Sequence, residues 1–284
     1  MRRHPHFDLW LHDDGELRPW LSATILRREP LHAWPLSCVE RLHLADGSTR
    51  IYKVQAAPTV EPEFYARAAG HLLVSTQAIA QPHGPAVLLL EDIAAPRLCD
   101  MVLTPEEVAA SGWSVVAQIH DLAGEVPVVA ELCTAAQWEA FAGAMLDDLT
   151  LLVADGTFVQ VDRGIIGRIA GQVAARPVLA AFAMPTGIVH GDMTASNLFV
   201  SDDGYRLIDW QRPIRAPSAL DVAALLESTG CDPGRFIAGG IAQLFYLLRL
   251  AWFVQCARRW YPAGAATYDG AIVRLVEVIT TYNE

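Results

Sequence analysis

Apolar and polar residues alternate along two neighbouring segments early in the chain. Cys38 to Leu44 and Thr49 to Gln55 each follow a period of two, which predicts a pair of β-strands. The residues between them contain Asp46-Gly47, a pair that favours a tight hairpin turn. We therefore expect an antiparallel hairpin.

The segments around this hairpin show weaker patterns. A helix is predicted from Pro62 to Leu73, with the proline in its first turn. Ala86 to Leu90 is a continuous apolar run, typical of a buried strand. Residues 1–35 are rich in Pro, His and Trp, and we expect them to be irregular.

After Pro96 the pattern becomes helical. Thr104 and Glu107 form a capping box that opens a helix running toward Leu122. The further predicted helices cover 134–154, 162–176, 218–229, 237–260 and 267–281. The helix over 237–260 contains Gln243, Arg249 and Gln255, which suit a buried helix better than a membrane span.

These elements predict an α+β fold with two lobes. A small antiparallel-sheet lobe covers residues 1–93, with a hinge near 90–95, and a larger, mainly helical lobe covers 94–284. The second lobe is interrupted by a strand ending near Val189, a polar loop, and a hairpin of Asn197–Ser201 and Tyr205–Asp209. That hairpin places Asp209 beside Asn197.

Three polar side chains of this interruption suggest phosphoryl-transfer chemistry. Asp192 leaves a strand into a loop, where its carboxylate can reach a substrate hydroxyl. The amide oxygen of Asn197 and the carboxylate of Asp209 can converge on Mg²⁺, with phosphate oxygens completing the metal's shell. Because such a site is weak without phosphates, it suits a nucleotide-dependent enzyme.

Composition narrows the class of protein. The 284 residues are 52% hydrophobic and 19% charged, which indicates a globular chain. The net charge of −11 argues against a nucleic-acid binder and weakly favours cationic partners, although ordinary solubility explains it better. The five cysteines are scattered and the N-terminus lacks the apolar segment of a signal peptide, so we expect reduced thiols and a cytoplasmic protein.

Lys53 is the only lysine in the chain, against 20 arginines. An ammonium is a compact point charge, whereas guanidinium is a bulky planar fork, so arginine cannot replace lysine in a tight site. Evolutionary drift alone could also leave a single lysine. The position of Lys53 in the fold must therefore decide whether it has a functional role.

The segment from 188 to 210 resembles the catalytic and metal-binding loops of the aminoglycoside phosphotransferase and choline kinase-like family, which has the protein-kinase-like fold. The family pattern is His-Gly-Asp, four residues, Asn, and then Ile-Asp-Trp. It is matched here by His190-Gly191-Asp192, Asn197 and Ile208-Asp209-Trp210. The resemblance implies that Asp192 is the catalytic base and that Asn197 and Asp209 are the magnesium ligands.

The resemblance extends to the nucleotide site. The strand Ile51-Tyr52-Lys53-Val54 is similar to the one whose lysine contacts the α- and β-phosphates. The resemblance implies that Glu61, or Glu63 in its place, is the glutamate partner of that lysine. Leu90-Glu91-Asp92-Ile93 resembles the hinge whose backbone binds adenine. The family's first hairpin often has a glycine or asparagine loop over the phosphates. Here that loop reads Trp34-Pro35-Leu36-Ser37, so Ser37 is the candidate phosphate contact.

The implied function is a nucleotide-dependent O-phosphotransferase that uses Mg²⁺ and ATP, or GTP in its place. Its acceptor would be a small hydroxyl compound such as an antibiotic, an amino alcohol or a sugar, with a weak preference for cationic ones. Antibiotic resistance is one expected consequence. The alternative is a catalytically silent nucleotide-binding scaffold of the same fold.

The resemblance does not identify the partners of the chain or the residues that surround the acceptor. No nucleic-acid or membrane partner is expected, and the chain is expected to be a monomer or a homodimer. The terminal carboxylates of Glu284 could lie near the acceptor, as chain ends do in some relatives. Helical spacing makes a set of aromatic residues typical of a core, although they could also form a wall of the acceptor site. These residues are Phe245, Tyr246, Trp252, Phe253 and Trp260.

Overall fold

The computed structural model of the chain describes residues 1–79 and 84–283, so Glu284 lies outside the described residues. The first part is built around a five-stranded sheet and the second part is mainly helical. This arrangement confirms the predicted α+β fold with two lobes. We refer to residues 1–93 as the N-lobe and to the described residues from 94 onward as the C-lobe.

The described residues of the N-lobe form β-strands and short α-helices. They are β1 (Arg2–Arg3), β2 (Trp10–Leu11), α1 (Asp14–Leu17), β3 (Ile25–Trp34), β4 (Ser37–Leu44), β5 (Thr49–Gln55), α2 (Glu61–Arg67), β6 (Thr76–Ala78) and β7 (Ala86–Glu91).

The described residues of the C-lobe combine helices with short strands. Its elements are α3 (Pro105–His120), α4 (Ala135–Ala154), α5 (Arg163–Val173), α6 (Arg176–Ala180), β8 (Thr186–Val189), β9 (Leu198–Ser201), β10 (Gly204–Leu207), β11 (Ile214–Pro217), α7 (Ala219–Ser228), α8 (Gly239–Gln255) and α9 (Ala265–Thr280). A π-helical turn, Cys256–Trp260, extends α8.

The main sheet has the strand order β3-β4-β5-β7-β6, and every neighbouring pair is antiparallel. The predicted hairpin is confirmed as β4 and β5, and the predicted buried strand is β7. The register sets Lys53 between Val39 and Leu88. The only lysine therefore lies on a central strand of the N-lobe sheet.

The expectation of irregular structure over residues 1–35 was wrong. Residues Ile25–Trp34 form β3, an edge strand that pairs with β4 alone. Most of its side chains are exposed and its register shifts near Pro30, so no regular apolar alternation marks it. Pro is tolerated there because an edge strand leaves some N–H positions unpaired.

The predicted helix after β5 is shorter than expected, because α2 ends at Arg67. Ala68 is already extended, and the backbone of Ala69 exchanges hydrogen bonds with Ala123 of the C-lobe. Both N–H···O distances are 2.9 Å. This bridge between the lobes uses the backbone groups that a longer helix would have needed.

The helix predicted over 237–260 appears as α8 and its π-helical extension. Two stretches of the described chain, Arg163–Ala183 and Gly239–Trp260, are long and apolar enough to cross a membrane by length and composition alone. Core helices pass the same test. In the second stretch, 67% of the most apolar 18-residue segment is buried inside the protein, in agreement with the predicted buried helix.

The predicted hairpin after the polar loop is confirmed, with slightly shorter strands, β9 and β10. Strand β10 ends at Leu207, because Asp209 has a left-handed backbone with φ of 72° and cannot continue the ladder. A further strand, β11, was not predicted from the sequence. It pairs with β8 and sets Val189 opposite Ile214, which brings the loop after β8 against the chain before β11.

Candidate active site

A cleft of about 1290 Å³ lies between the lobes. Most of the site residues singled out from the sequence line it. They are Ser37, Lys53, Glu91, Asp92, Ile93, Asp192, Asn197 and Asp209. Glu61 does not line the cleft; it is fully buried behind Lys53.

Lys53 joins the two lobes at the centre of the cleft. Its Nζ lies 2.6 Å from Oε2 of Glu61 and 2.5 Å from Oδ1 of Asp209. Glu63 points elsewhere and pairs with Arg67 at 2.6 Å on the helix surface. Of the two glutamates that the sequence left open, the structure therefore brings Glu61 to the lysine.

This buried cluster carries one ammonium and two carboxylates. Burial opposes the charged form of Lys53, but Asp209 and Glu61 outweigh it and raise the pKa of the lysine. Burial raises the pKa of Glu61 to about 7 in spite of Lys53. For Asp209 burial is outweighed by Lys53, so its pKa is lowered. Asp209 is therefore the carboxylate that stays ionised and faces the cleft.

Asn197 and Asp209 can each offer a side-chain oxygen to a metal ion. The Nδ2 of Asn197 donates to the backbone carbonyl of Asp192 at 3.0 Å, so its Oδ1 is turned away from that bond. The N–H of Ile208 donates to the carbonyl of Asn197 at 3.1 Å, which links the two metal-ligand candidates. One amide oxygen and one carboxylate fit Mg²⁺ that takes its other ligands from phosphates and water.

The loop that carries Asp192 is fixed from two sides. The N–H of Asp192 donates to Nδ1 of His190 at 3.2 Å, and Nε2 of His190 lies 2.9 Å from the carbonyl of Ile208. Nε2 must therefore carry the proton, and burial lowers the pKa of His190 to about 4. Asp221, at the start of α7, accepts the backbone N–H groups of His190 and Gly191 at 2.7 and 3.1 Å.

Asp192 itself has the electrostatics of a base. Burial and the charge of Asp209 raise the pKa of Asp192 to about 6, while Arg212, Arg249 and Lys53 act in the opposite direction. A carboxylate whose pKa lies near neutrality can take a proton from a hydroxyl during reaction. No hydrogen bond from another side chain to this carboxylate is found within the described residues.

In the hinge, the side chains of Glu91 and Asp92 form hydrogen bonds within the protein, whereas Ile93 offers its backbone. Arg41 holds both carboxylate oxygens of Asp92, at 2.7 and 3.2 Å. The Oε2 of Glu91 accepts the N–H of Ser75 at 3.3 Å. The N–H of Ile93 has no backbone partner among the residues that the structure describes. A donor of this kind on the cleft wall suits a purine edge.

Ser37 begins β4 directly after a two-residue turn of Pro35 and Leu36. The turn is short and contains no glycine, so it leaves little backbone with which to wrap a phosphate. On the other side of this turn, the ring of Trp34 lies against that of Tyr261 in the C-lobe, with ring centroids 6.3 Å apart. The hairpin tip thus contacts the C-lobe directly.

Sequence reasoning missed Arg212, which lines the cleft close to Asp192 and Asp209. Its guanidinium lies 3.4 Å from the ring centre of Trp252 on α8. The only available signal was its position three residues after Asp209 in a turn. Of the aromatic residues left open, Tyr246 is buried in the core, whereas the others line the cleft. Those are Phe245, Trp252, Phe253 and Trp260.

Comparison with known proteins gives a family match that covers most of the chain. Residues 8–253 match the model of the phosphotransferase enzyme family. No curated protein sequence is similar enough to match.

Solved structures show the same fold at low identity. The spectinomycin phosphotransferase in complex with ADP and spectinomycin is 13% identical, covering 94% of this chain and 97% of that chain with a TM-score of 0.54. An aminoglycoside phosphotransferase in a ternary complex with ADP and hygromycin B is 12% identical, covering 89% and 94% with a TM-score of 0.57. A choline/ethanolamine kinase family protein from Mesorhizobium loti is 16% identical, covering 89% and 87% with a TM-score of 0.57. These likenesses establish the protein-kinase-like fold.

Proposed function

The chain belongs to the phosphotransferase enzyme family, and on that premise we propose that it transfers the γ-phosphoryl group of ATP to a hydroxyl of a small molecule. One observation carries the proposal. Lys53, held by Glu61 and Asp209, lies in the same cleft as Asp192 and Asn197. A phosphate-binding cation, a base and a pair of metal-ligand candidates are therefore present together.

The nucleotide would lie against the N-lobe. Lys53 would contact its α- and β-phosphates, and Glu61 holds the lysine in position for them. The N–H of Ile93 would donate a hydrogen bond to the adenine edge, and Ser37 would contact the phosphates. GTP can replace ATP if its purine edge satisfies the same backbone donor. Two solved relatives contain ADP, which supports a nucleotide site here.

Asn197 and Asp209 would hold Mg²⁺. When bound, this ion supplies positive charge to the phosphates and neutralises charge that develops during transfer. The donor set of one amide and one carboxylate fits this ion, because phosphates contribute the remaining oxygens. Asp209 also binds Lys53, so it would hold the ammonium of Lys53 and the Mg²⁺ close to each other.

Transfer requires one bond to form and one to break. The acceptor oxygen bonds to the γ-phosphorus, the bond from that phosphorus to the β–γ bridging oxygen breaks, and ADP leaves with those electrons. The hydroxyl proton passes to the carboxylate of Asp192, which later releases it to water. His190 and Asp221 act through the loop backbone and position Asp192 without contacting substrate.

A catalytically silent nucleotide-binding scaffold is the second candidate. Such proteins commonly lack the lysine, the base or a metal ligand, and here every one of these positions is filled. Relatives in complex with spectinomycin and hygromycin B support an antibiotic as one acceptor class, and resistance would follow from its modification.

The base assignment is tested with Asp192→Asn. We expect kcat for acceptor-dependent ADP release to fall by about 10²- to 10⁴-fold, because the amide cannot take the hydroxyl proton. Affinity for Mg-ATP, measured by calorimetry, should change little. Asp202→Asn, the same change at an exposed turn residue, is the matched control. Unchanged turnover in Asp192→Asn, or absence of acceptor-dependent turnover in the wild type, would contradict the proposal.

A further inference from the structure

The cleft has a second side, formed by α8 and its π-helical extension, which we call the acceptor side. It meets the nucleotide side at Asp192 and Arg212. Its charged residues are arginines, and its apolar residues are mostly aromatic. The chemistry of these side chains limits what can lie next to the base.

Two of the arginines on this side are already paired. Arg249 forms an ion pair with Glu227 at 2.5 Å, and Arg259 forms one with Asp148 at the same distance. Glu227 is the carboxylate of α7 that lines the cleft, and Arg249 neutralises it. A cationic acceptor would therefore find no free carboxylate among the described residues of this side except Asp192 itself.

Arg212 is different, because it has no ion-pair partner within the part of the chain that the structure describes. Its Nε is buried without a hydrogen-bond partner. Burial lowers the pKa of the guanidinium, which Asp192 and Asp209 oppose. Arg212 as a whole is only partly buried and lines the cleft, so its guanidinium is suited to a ligand that supplies acceptor oxygens.

The face of Trp252 is also already used. The guanidinium of Arg212 lies 3.4 Å from the ring centre, which is the position that a quaternary ammonium would need for a cation–π contact. Stacking holds the guanidinium plane, so less freedom is lost when its edge meets a planar carboxylate or a phosphate. Trp252 thus orients Arg212, and Arg212 excludes an external cation from this face of the ring.

We propose that the acceptor of this enzyme carries an anionic oxo group, a carboxylate or a phosphate, that binds Arg212 while its hydroxyl lies at Asp192. This inference rests on the proposed phosphotransferase function and names the class of its acceptor. It differs from the preference for cationic acceptors that the net charge of −11 suggested. The charges inside the cleft, rather than the sum over the surface, face the acceptor.

The test is direct binding to the protein loaded with Mg-ADP. Hydroxyalkanoic acids and aryl hydroxy acids are compared with their phosphate-ester, carboxamide and primary-amine counterparts by calorimetry. We expect the acids or the phosphate esters to bind and the amides and amines to bind at least about tenfold more weakly, as the loss of a charged hydrogen bond implies. The preferred group distinguishes a carboxylate from a phosphate acceptor.

Arg212→Met keeps an unbranched side chain for stacking on Trp252 and removes the charge. It should weaken binding of the preferred anions by about ten- to hundredfold and leave the affinity for Mg-ADP unchanged. Arg235→Met is the matched control, because Arg235 also lies over an aromatic ring, that of Phe236, but outside the cleft. Arg235→Met should bind the anions as the wild type does.

Three binding results would overturn the inference. One is equal or tighter binding of the amines, and another is anion binding that Arg212→Met leaves unchanged. The third is weaker binding of a non-hydrolysable ATP analogue, but not of the anions, in Arg212→Met, which would assign Arg212 to the γ-phosphate. If the anions bind through Arg212 but no hydroxyl compound of any class is phosphorylated with Mg-ATP, the anion site at Arg212 stands and the proposed function fails. If only compounds without an anionic group are phosphorylated, the inference fails and the proposed function stands.

Discussion

Asp209 carries both a backbone constraint and a buried ion pair. Its φ of 72° makes it the one non-glycine residue with a left-handed backbone among the described residues. This conformation costs about 1–2 kcal/mol for an L-residue with a side chain. The contact with Lys53 and the stacking of the next residue, Trp210, on Phe64 with centroids 4.3 Å apart hold it in place. Such strain is typical of functional sites.

Asp192 leads to a prediction for the pH dependence of the reaction. Burial raises the pKa of Asp192 to about 6, so the carboxylate is ionised above that pH and protonated below it. Because only the ionised form accepts a proton, kcat/KM for the acceptor should fall about tenfold per pH unit below the pKa. Initial rates between pH 5 and 9 measure it, and a flat profile through pH 6 would exclude Asp192 as the base.

At the scale of elements, local pattern predicted most of the structure that positions the site. The hairpin of β4 and β5, the helix α3 with its cap at Thr104, and the hairpin of β9 and β10 follow from alternation, capping and turn residues. Edge strand β3 was missed because its side chains are mostly exposed and carry no apolar alternation. Strand β11 is short and gains its structure from pairing with β8.

The parts of the site that could not be predicted depend on contacts between distant residues. Asp221 accepts the N–H of Gly191 from 30 residues away in the sequence, and this choice of partner could not be predicted. Arg212 is placed by β11 and by Trp252, and neither contact leaves a local pattern. The lysine and glutamate were identified by their motif, but their distance of 2.6 Å follows only from the folded sheet and α2.

The turn before Asp192 predicts a second experiment. Gly191 has φ of +80°, and a Cβ there would lie 3.0 Å from the carbonyl oxygen of Arg212. Gly47 has a similar φ of +83° with nothing within 4 Å of a Cβ. Both substitutions to alanine should cost about 1–2 kcal/mol of unfolding free energy from backbone strain. Gly191→Ala should cost more and lower kcat, because relief of the contact displaces the loop that carries Asp192, the proposed base.

Chemical denaturation and initial rates measure this pair of variants. The comparison separates backbone strain from the close approach to Arg212, since only Gly191 has both. Equal stability and equal activity in the two variants would show that the close approach has no role in holding the loop.

At the scale of the whole molecule, the lobes are joined through the candidate active site. The ion pair between Lys53 and Asp209 crosses the cleft, and the hydrogen bond between Gln55 and Gln211, at 3.0 Å, runs beside it. Phe64 of the N-lobe packs on Trp210 of the C-lobe. The residues that would bind nucleotide therefore also fix how the lobes meet.

Lys53→Met tests this coupling through stability. Removing the ammonium leaves the fully buried Glu61 and the partly buried Asp209 without a cation, which should lower the unfolding free energy by about 3 kcal/mol at pH 8. Burial raises the pKa of Glu61 above its unfolded value, and loss of Lys53 should raise it further. The folded variant then binds more protons than the unfolded chain, so its stability should increase as pH falls toward 5.

Denaturation of wild type and Lys53→Met at pH 5 and 8 measures this prediction. Lys53→Met/Glu61→Gln is the control, because the amide has no charge to lose and should remove most of the pH dependence. A deficit that is equal at the two pH values would contradict the coupling between Lys53 and Glu61.

The most direct test of phosphoryl transfer follows the γ-phosphoryl group itself. The protein is incubated with Mg²⁺, ATP labelled with ¹⁸O at the γ-phosphoryl oxygens, and a panel of hydroxyl compounds that includes hydroxy acids, and the products are identified by mass spectrometry. We predict that an acceptor gains the labelled group with wild type and with Asp202→Asn, and that Asp192→Asn forms little of it. Label that stays in ATP or appears only in inorganic phosphate across the panel would contradict the account.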